Sequence, residues 1–132
     1  LKEFGLQEQR QRPPYLLSAG QMQRLALAGV MAVLPGCLIL DEPTAALGVA
    51  QTEQVLELVR RLAEQGLAVI LISHNLHDIF EAADRITVLR LGRNAALLNR
   101  NEVTQQEVVH AITAGVPTKV AGVSQTTDEE QA

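Results

Sequence analysis

Two pairs of polar residues each follow a run of apolar ones, at positions suited to chemistry. Asp41-Glu42 follows Cys37-Leu38-Ile39-Leu40, and Ser73-His74 follows Leu67–Ile72. Short continuous apolar runs of this kind read as strands buried on both faces, and a strand end delivers side chains to a fixed point. Two adjacent carboxylates there can divide the work of nucleotide hydrolysis. The first holds Mg²⁺, directly or through water, because a hard cation takes oxygen ligands. The second orients and polarises the attacking water. A solvated acidic turn is the plainer reading of Asp-Glu, but the preceding strand and the following Pro43-Thr44 favour chemistry. At the second strand end, a neutral imidazole from His74 would hydrogen-bond a terminal phosphate oxygen and sense its loss; as a lone histidine it also reads as a surface residue. In Leu17-Ser18-Ala19-Gly20-Gln21, small residues open a helix and expose backbone N–H groups at its positive end. Ser18 either caps that helix or donates its hydroxyl to a phosphate.

The elements that must position these residues are legible from periodicity. Residues 1–16 are polar and close on Pro13-Pro14-Tyr15, an extended approach. A helix is expected from Gly20 to about Leu34, stopped by Pro35-Gly36. Residues 51–65 form an amphipathic helix with Val55, Val59, Leu62 and Ala63 on one face, ended by Gly66. Asn75 caps a short helix with Leu76, Ile79, Phe80 and Ala83 inward. Ile86–Leu91 is a third strand, Gly92-Arg93-Asn94 a turn and Ala95–Leu98 its hairpin return. Thr104 and Glu107 have capping-box spacing ahead of a last helix bearing Val108, Val109 and Ile112 and ending at Gly115. Alternating strands and helices predict an α/β fold with a parallel sheet, and such sheets bind ligands at the carboxyl ends of their strands.

Composition narrows the function classes. A net charge of −4, with basic residues scattered, argues against nucleic acid as a partner. The single cysteine, Cys37, excludes an internal disulfide and reads as a small buried hydrophobe. The three histidines show no metal-ligand spacing with Cys37, and His77 and His110 read as surface residues. The uncharged stretch Leu25–Leu40 is shorter than the roughly 20 residues of a membrane span, and no secretory leader pattern opens the chain. A cytoplasmic protein is therefore expected. Leu1 stands where an initiating methionine would, so preceding residues are expected as well.

In this order the three segments resemble the ATP-binding-cassette ATPases. Leu17–Gln21 is similar to the family's signature motif, with Ala19 where glycine is usual, and Cys37–Glu42 to its Walker B motif. Ala45-Ala46-Leu47-Gly48 falls on its D-loop, with Gly48 where aspartate is usual, and His74 on its switch histidine. The resemblance implies a partial P-loop NTPase fold of the α/β class, a mostly parallel sheet with flanking helices. Residues 1–115 would be the carboxyl-terminal part of the ATPase domain, and 116–132 a disordered tail. The implied ligands are ATP and Mg²⁺. Asp41 would help hold the metal, Glu42 would be the general base and His74 would contact the γ-phosphate. Ser18, Ala19, Gly20, Gln21, Asp41 and Gly48 are the implied ATP-binding positions. Ser18 and Gly20 would reach the ATP of an opposite subunit, because the family works as a head-to-tail pair. The implied partners are that second ATPase subunit and transmembrane permease subunits, on the inner face of the membrane.

Within the family, Thr44–Thr52, Ile72–Leu76 and Val88–Asn94 are similar to ribose- and xylose-type importers, whereas Pro13–Ala32 is similar to energy-coupling-factor ATPases for vitamin or metal-ion uptake. Sugar uptake is the leading expectation. The family also needs a glycine-rich loop with a lysine to cradle phosphates, yet no glycine here precedes lysine. ATPase activity by this chain alone is therefore expected to be negligible. A remnant without enzymatic activity is the reading from another class. Leu67–Ile72 is also expected to present an apolar edge.

Overall fold

The computed structural model describes residues 1–114; the helix end at Gly115 and the expected tail at 116–132 lie outside the described residues. The chain divides into two compact units, Leu1–Ala82 and the stretch from Ala83 onward.

In the first unit, α1 (Ala19–Met31) leads to β1 (Cys37–Asp41), α2 (Val49–Glu64), β2 (Ala68–Ile72) and α3 (Leu76–Ala82). β1 and β2 pair in parallel, with Leu38 opposite Val69, Ile39 opposite Ile70 and Asp41 opposite Ile72. The helix between them is the long connection that parallel neighbours require. Leu38 and Leu40 point to one face, where they join Leu27 of α1 and Leu58, Val59 and Leu62 of α2 in a single core. Val69 and Leu71 pack against it.

The opening residues depart from the expected extended approach. Phe4 and Leu6 are buried in this core, and only the stretch around them is polar. A tight turn folds them back: the Leu6 amide donates to the Leu1 carbonyl at 3.0 Å, Gly5 takes φ +61°, and the Arg61 guanidinium donates to the Glu3 carbonyl at 3.0 Å. Two apolar residues among polar ones have no readable period, so only long-range packing reveals them. Tyr15, read from the sequence as part of an extended approach, is 81% exposed in a short 3₁₀ turn, Pro14–Leu16, that buries nothing.

α1 ends at Met31, earlier than expected. Pro35 disfavours right-handed helical geometry at Leu34, and Leu34 takes φ 50° instead. α2 buries Val55, Leu56, Leu58, Val59 and Leu62; Ala63, assigned to that face from the sequence, is exposed. Gly66 ends the helix as expected, at φ +95°.

The strands are covered on one face, contrary to the expectation of burial on both. Ile39 is 64% and Ile70 52% exposed, and Cys37, read as a buried hydrophobe, is exposed beside them. The pleat sends alternate residues to opposite faces, so Leu38 and Leu40 join the core cluster while Ile39 and Ile70 do not.

In the second unit, β3 (Arg85–Arg90) pairs with β4 (Arg93–Asn99) as an antiparallel hairpin, forming a sheet separate from β1–β2. The turn falls on Leu91-Gly92, at φ 49° and 75°, the backbone of a two-residue type I′ loop. Arg93 and Asn94, assigned to the turn from sequence, pair with Arg90 and Leu89. The register skips Ala95, a bulge between Val88 and Leu89. Ile86, Val88, Ala96 and Leu98 bury one hairpin face with Val108 and Ala111 of α4 (Gln105–Ala114). Val109 and Ile112 are exposed instead. The expected capping box is present, with the Thr104 amide and hydroxyl donating to Glu107 at 2.8 and 2.9 Å and holding its carboxyl below the usual range.

The open Ile39–Ile70 face and the strand edges make self-association the expected behaviour as concentration rises. Light scattering should show oligomers that Ile70→Lys reduces. Leu58→Ala should leave the face intact but cost about 2–5 kcal/mol in urea unfolding. A wild-type monomer at high concentration would contradict this reading of the face.

Candidate functional site

The β1–β2 register brings the two strand ends together. The ladder runs one bond past Asp41, where the Glu42 amide donates to the Ile72 carbonyl at 2.9 Å. Glu42 itself turns out of the strand at φ 46°, a left-handed backbone that costs a side-chain-bearing residue about 1–3 kcal/mol. That turn aims its carboxylate at the residues following β2. Ser73 Oγ donates to Glu42 Oε2 at 3.3 Å. The His74 amide donates to Oε1 at 3.0 Å, and His74 Nδ1 lies 2.6 Å from the same oxygen. Sequence reasoning assigned Glu42 and His74 separate tasks; here they are in direct contact.

The contact sets their charges. The hydrogen bond from His74 is the main influence lowering the Glu42 pKa, opposed by partial desolvation and assisted by the His74 amide, the imidazole charge and Ser73. The Glu42 carboxylate likewise raises the His74 pKa, first through the hydrogen bond and then through its charge. The His74 ring is nonetheless 86% exposed.

The turn after Glu42 is held from α3. Asp78 is 1% exposed and accepts from the Thr44 hydroxyl and, at 2.9 Å, from Asn75 Nδ2. Asn75 Oδ1 accepts the His77 amide at 3.0 Å, as expected of a cap. The sequence reading placed Leu76, Ile79, Phe80 and Ala83 inward and missed Asp78, although these four are only partly buried. The available signal was a cap residue followed three positions later by an acid, the spacing of a capping box. His77 is exposed, as expected.

Asp41 is exposed at the strand end. Among the described residues no group of three or more His, Cys, Asp or Glu side chains stands ready to enclose a metal. A lone carboxylate still suits Mg²⁺, which is commonly held by one or two carboxylates together with water and substrate phosphates.

Ser18 is used as a helix cap. Its Oγ accepts the Gln21 amide at 3.3 Å while its own amide donates to Gln21 Oε1 at 3.0 Å, a complete capping box. Ala19 is exposed beside it, and Gly20 is buried against α2. A Cβ on Gly20 would lie 2.9 Å from Gln51 Cγ, and one on Gly48 would lie 2.7 Å from Gln51 Oε1. The structure thus brings Gly20 and Gly48 together across Gln51, a residue the sequence reading did not single out. Among the described residues no hydrogen bond joins Ser18–Gln21 to the Glu42–His74 pair.

Two outcomes are expected. His74 should titrate above 6.5 in an NMR pH series, and Glu42→Gln should return it toward that value. Because the His74 pKa is raised, its share of stability is complete below 6.5 and lost as pH rises through its folded value; Glu42's share is complete above 4.5 and lost as pH falls through its lowered value. The pair therefore supports the fold fully between pH 4.5 and 6.5. Separately, Gly20→Ala should destabilise by about 1–3 kcal/mol in urea unfolding through overpacking, and Gln51→Ala in the same chain should recover most of the loss.

A family described as ABC transporter matches residues 1–45. An energy-coupling factor transporter ATP-binding protein EcfA2 of Symbiobacterium thermophilum is 42% identical over 123 residues, covering 92% of this chain and 43% of the relative. A fructose import ATP-binding protein FrcA of Rhizobium meliloti is 44% identical over 97 residues, covering 74% and 37%. The chain thus spans less than half the length of these relatives. The solved structure of cbiO1 from Clostridium perfringens, part of the ABC transporter complex cbiONQ, superposes with a TM-score of 0.75 at 32% identity over 83% of this chain and 44% of that one. Both importer classes suggested by the sequence recur, and the energy-coupling-factor likeness runs beyond the first part of the chain. In sequence and in its partial P-loop NTPase fold, the chain belongs to the ABC transporter ATP-binding family.

Proposed function

We propose that the chain carries the water-activating part of the ATP-hydrolysing site of an importer, in a domain extending over residues 1–115. The observation that supports this is the Glu42 carboxylate, turned out of β1 at φ 46° and gripped by Ser73 and His74 from the end of β2. Glu42, kept ionised by that grip, would accept a hydrogen bond from the attacking water and take its proton. A carboxylate of lowered pKa is a weak base, so orientation is its larger contribution, in keeping with phosphoryl transfer, where positioning dominates. The exposed His74 ring would donate to a γ-phosphate oxygen. Mg²⁺ beside Asp41 would neutralise phosphate charge. Ser18, Ala19, Gly20 and Gln21 open α1: the capping box uses the Ser18 and Gln21 amides and leaves those of Ala19 and Gly20 for the γ-phosphate of ATP held by a second ATPase subunit, and Gly48 lies beside them at Gln51.

No helix among the described residues is long and apolar enough to cross a membrane. By likeness to the transporter ATP-binding proteins, we assign coupling to transport to permease subunits, which this chain would meet on the cytoplasmic side. Sugar is the proposed cargo, by likeness to FrcA. The longer match to EcfA2 favours an energy-coupling-factor transporter as the second reading.

ATP turnover by the chain itself should be negligible, since it contains no glycine followed by lysine to hold phosphates. Turnover that Glu42→Gln abolishes would overturn this expectation. Exchanging the chain for the matching segment of FrcA or EcfA2 should restore hydrolysis, and Glu42→Gln should then cut kcat by about 10²–10⁴-fold. Retention of uptake in one of the two transporters and not the other would decide the cargo class.

A further inference from the structure

We propose that Asp78 is a positioning residue: it clasps the turn after β1 to the turn after β2 and thereby sets the contact between Glu42 and His74. Its functional weight rests on the reading of that pair as the reacting groups; its geometry does not.

Asp78 is a carboxylate with 1% exposure on the short helix α3, and no cation accompanies it among its hydrogen-bond partners. A charge so placed is costly unless it is hydrogen-bonded. Both of its oxygens are used, one by each turn. Oδ2 accepts from the Thr44 hydroxyl, two residues after Glu42, and Oδ1 accepts from Asn75 Nδ2, one residue after His74.

These bonds close a ring. Asn75 also donates its amide to Ser73 Oγ at 3.1 Å, and Ser73 Oγ donates to Glu42 Oε2 at 3.3 Å. The circuit therefore runs from the Glu42 carboxylate through Ser73, Asn75 and Asp78 to Thr44, and returns along the backbone to Glu42. It encloses the residue at φ 46°. A left-handed glutamate persists only where its surroundings over-determine it. The Glu42 amide bond to Ile72 fixes one side of the residue and the Thr44–Asp78 bond fixes the other. Without the clasp, Pro43-Thr44 can swing and Glu42 can relax toward an ordinary backbone, which withdraws its carboxylate from the imidazole.

The side chain's chemistry makes the idea testable. Leucine keeps the forked shape in a bulkier side chain but accepts nothing, leaving two donors without their partner. Asparagine can keep both contacts, because its oxygen can accept from Asn75 while its amide donates to a rotated Thr44 hydroxyl. Thr44→Val removes the clasp from the far end without touching α3.

The test uses the full 132-residue chain without nucleotide, at pH 6. The readouts are the hydrogen-bonded His74 Nδ1–H proton resonance and its nuclear Overhauser contact with the Glu42 γ-methylene. Both signals are expected in the wild type and in Asp78→Asn, and should be lost in Asp78→Leu and Thr44→Val. Circular dichroism checks that each variant is folded. If Asp78→Leu does not fold, Thr44→Val decides. Retention of the signals in folded Asp78→Leu or in Thr44→Val overturns the proposal, as does their loss in Asp78→Asn. The experiment involves no ATP, so its failure is distinct from failure of the hydrolysis reading.

Discussion

The site depends on the register of one parallel strand pair. With Asp41 opposite Ile72, the residues that follow the two strands leave the sheet side by side, and the Glu42 amide adds a last ladder bond to Ile72. A slip of one residue would turn Leu38 and Leu40 away from the core and carry Glu42 away from His74 together. The packing that specifies the register and the geometry of the site are thus the same constraint. Leu38 and Leu40 lock against Leu27, Leu58, Val59 and Leu62, and the chemistry-bearing residues are carried into place at the strand ends.

Beyond the strands, polar contacts take over from burial. The left-handed Glu42 and its hydrogen bonds to Ser73 and His74 trade backbone strain for a fixed carboxylate. The hydrogen bond and charge of His74 lower the Glu42 pKa, and the Glu42 carboxylate raises that of the imidazole, because opposite charges at hydrogen-bond distance favour each other's ionised form. The residues that support this arrangement, Thr44, Asn75 and Asp78, belong to connections rather than strands. Gly20 and Gly48 meet Gln51 by a different means: the absence of Cβ atoms allows close approach, and this brings the start of α1 to the start of α2.

The same pleat that builds the core leaves Ile39 and Ile70 exposed. One face of the strand pair is thus stabilised by burial while the other presents apolar surface, and the exposed edges carry unpaired backbone groups. The chain spans less than half the length of EcfA2 and FrcA. Within it, β1 pairs with β2 and β3 pairs with β4.

Much of the fold was legible in the residues. Apolar runs marked the strands, helical periodicity marked α2, Gly66 its end, and Thr104 with Glu107 the start of α4. The sequence by itself determined that Glu42 and His74 follow successive strands, because a buried strand has a readable pattern and a definite end. It could not reveal which strand faces would be covered, so Cys37 and Ile39 were read as buried. Nor could it reveal that Phe4 and Leu6 join the core, that Leu91-Gly92 rather than Gly92–Asn94 makes the hairpin turn, or that Asp78 points inward. These outcomes depend on partners distant in the chain. A buried acid in particular is favourable only where a fold supplies donors to both of its oxygens, as Thr44 and Asn75 do here. Only the tertiary structure decided that Glu42 and His74 touch, because their contact is made by the register of two strands and the turns that leave them.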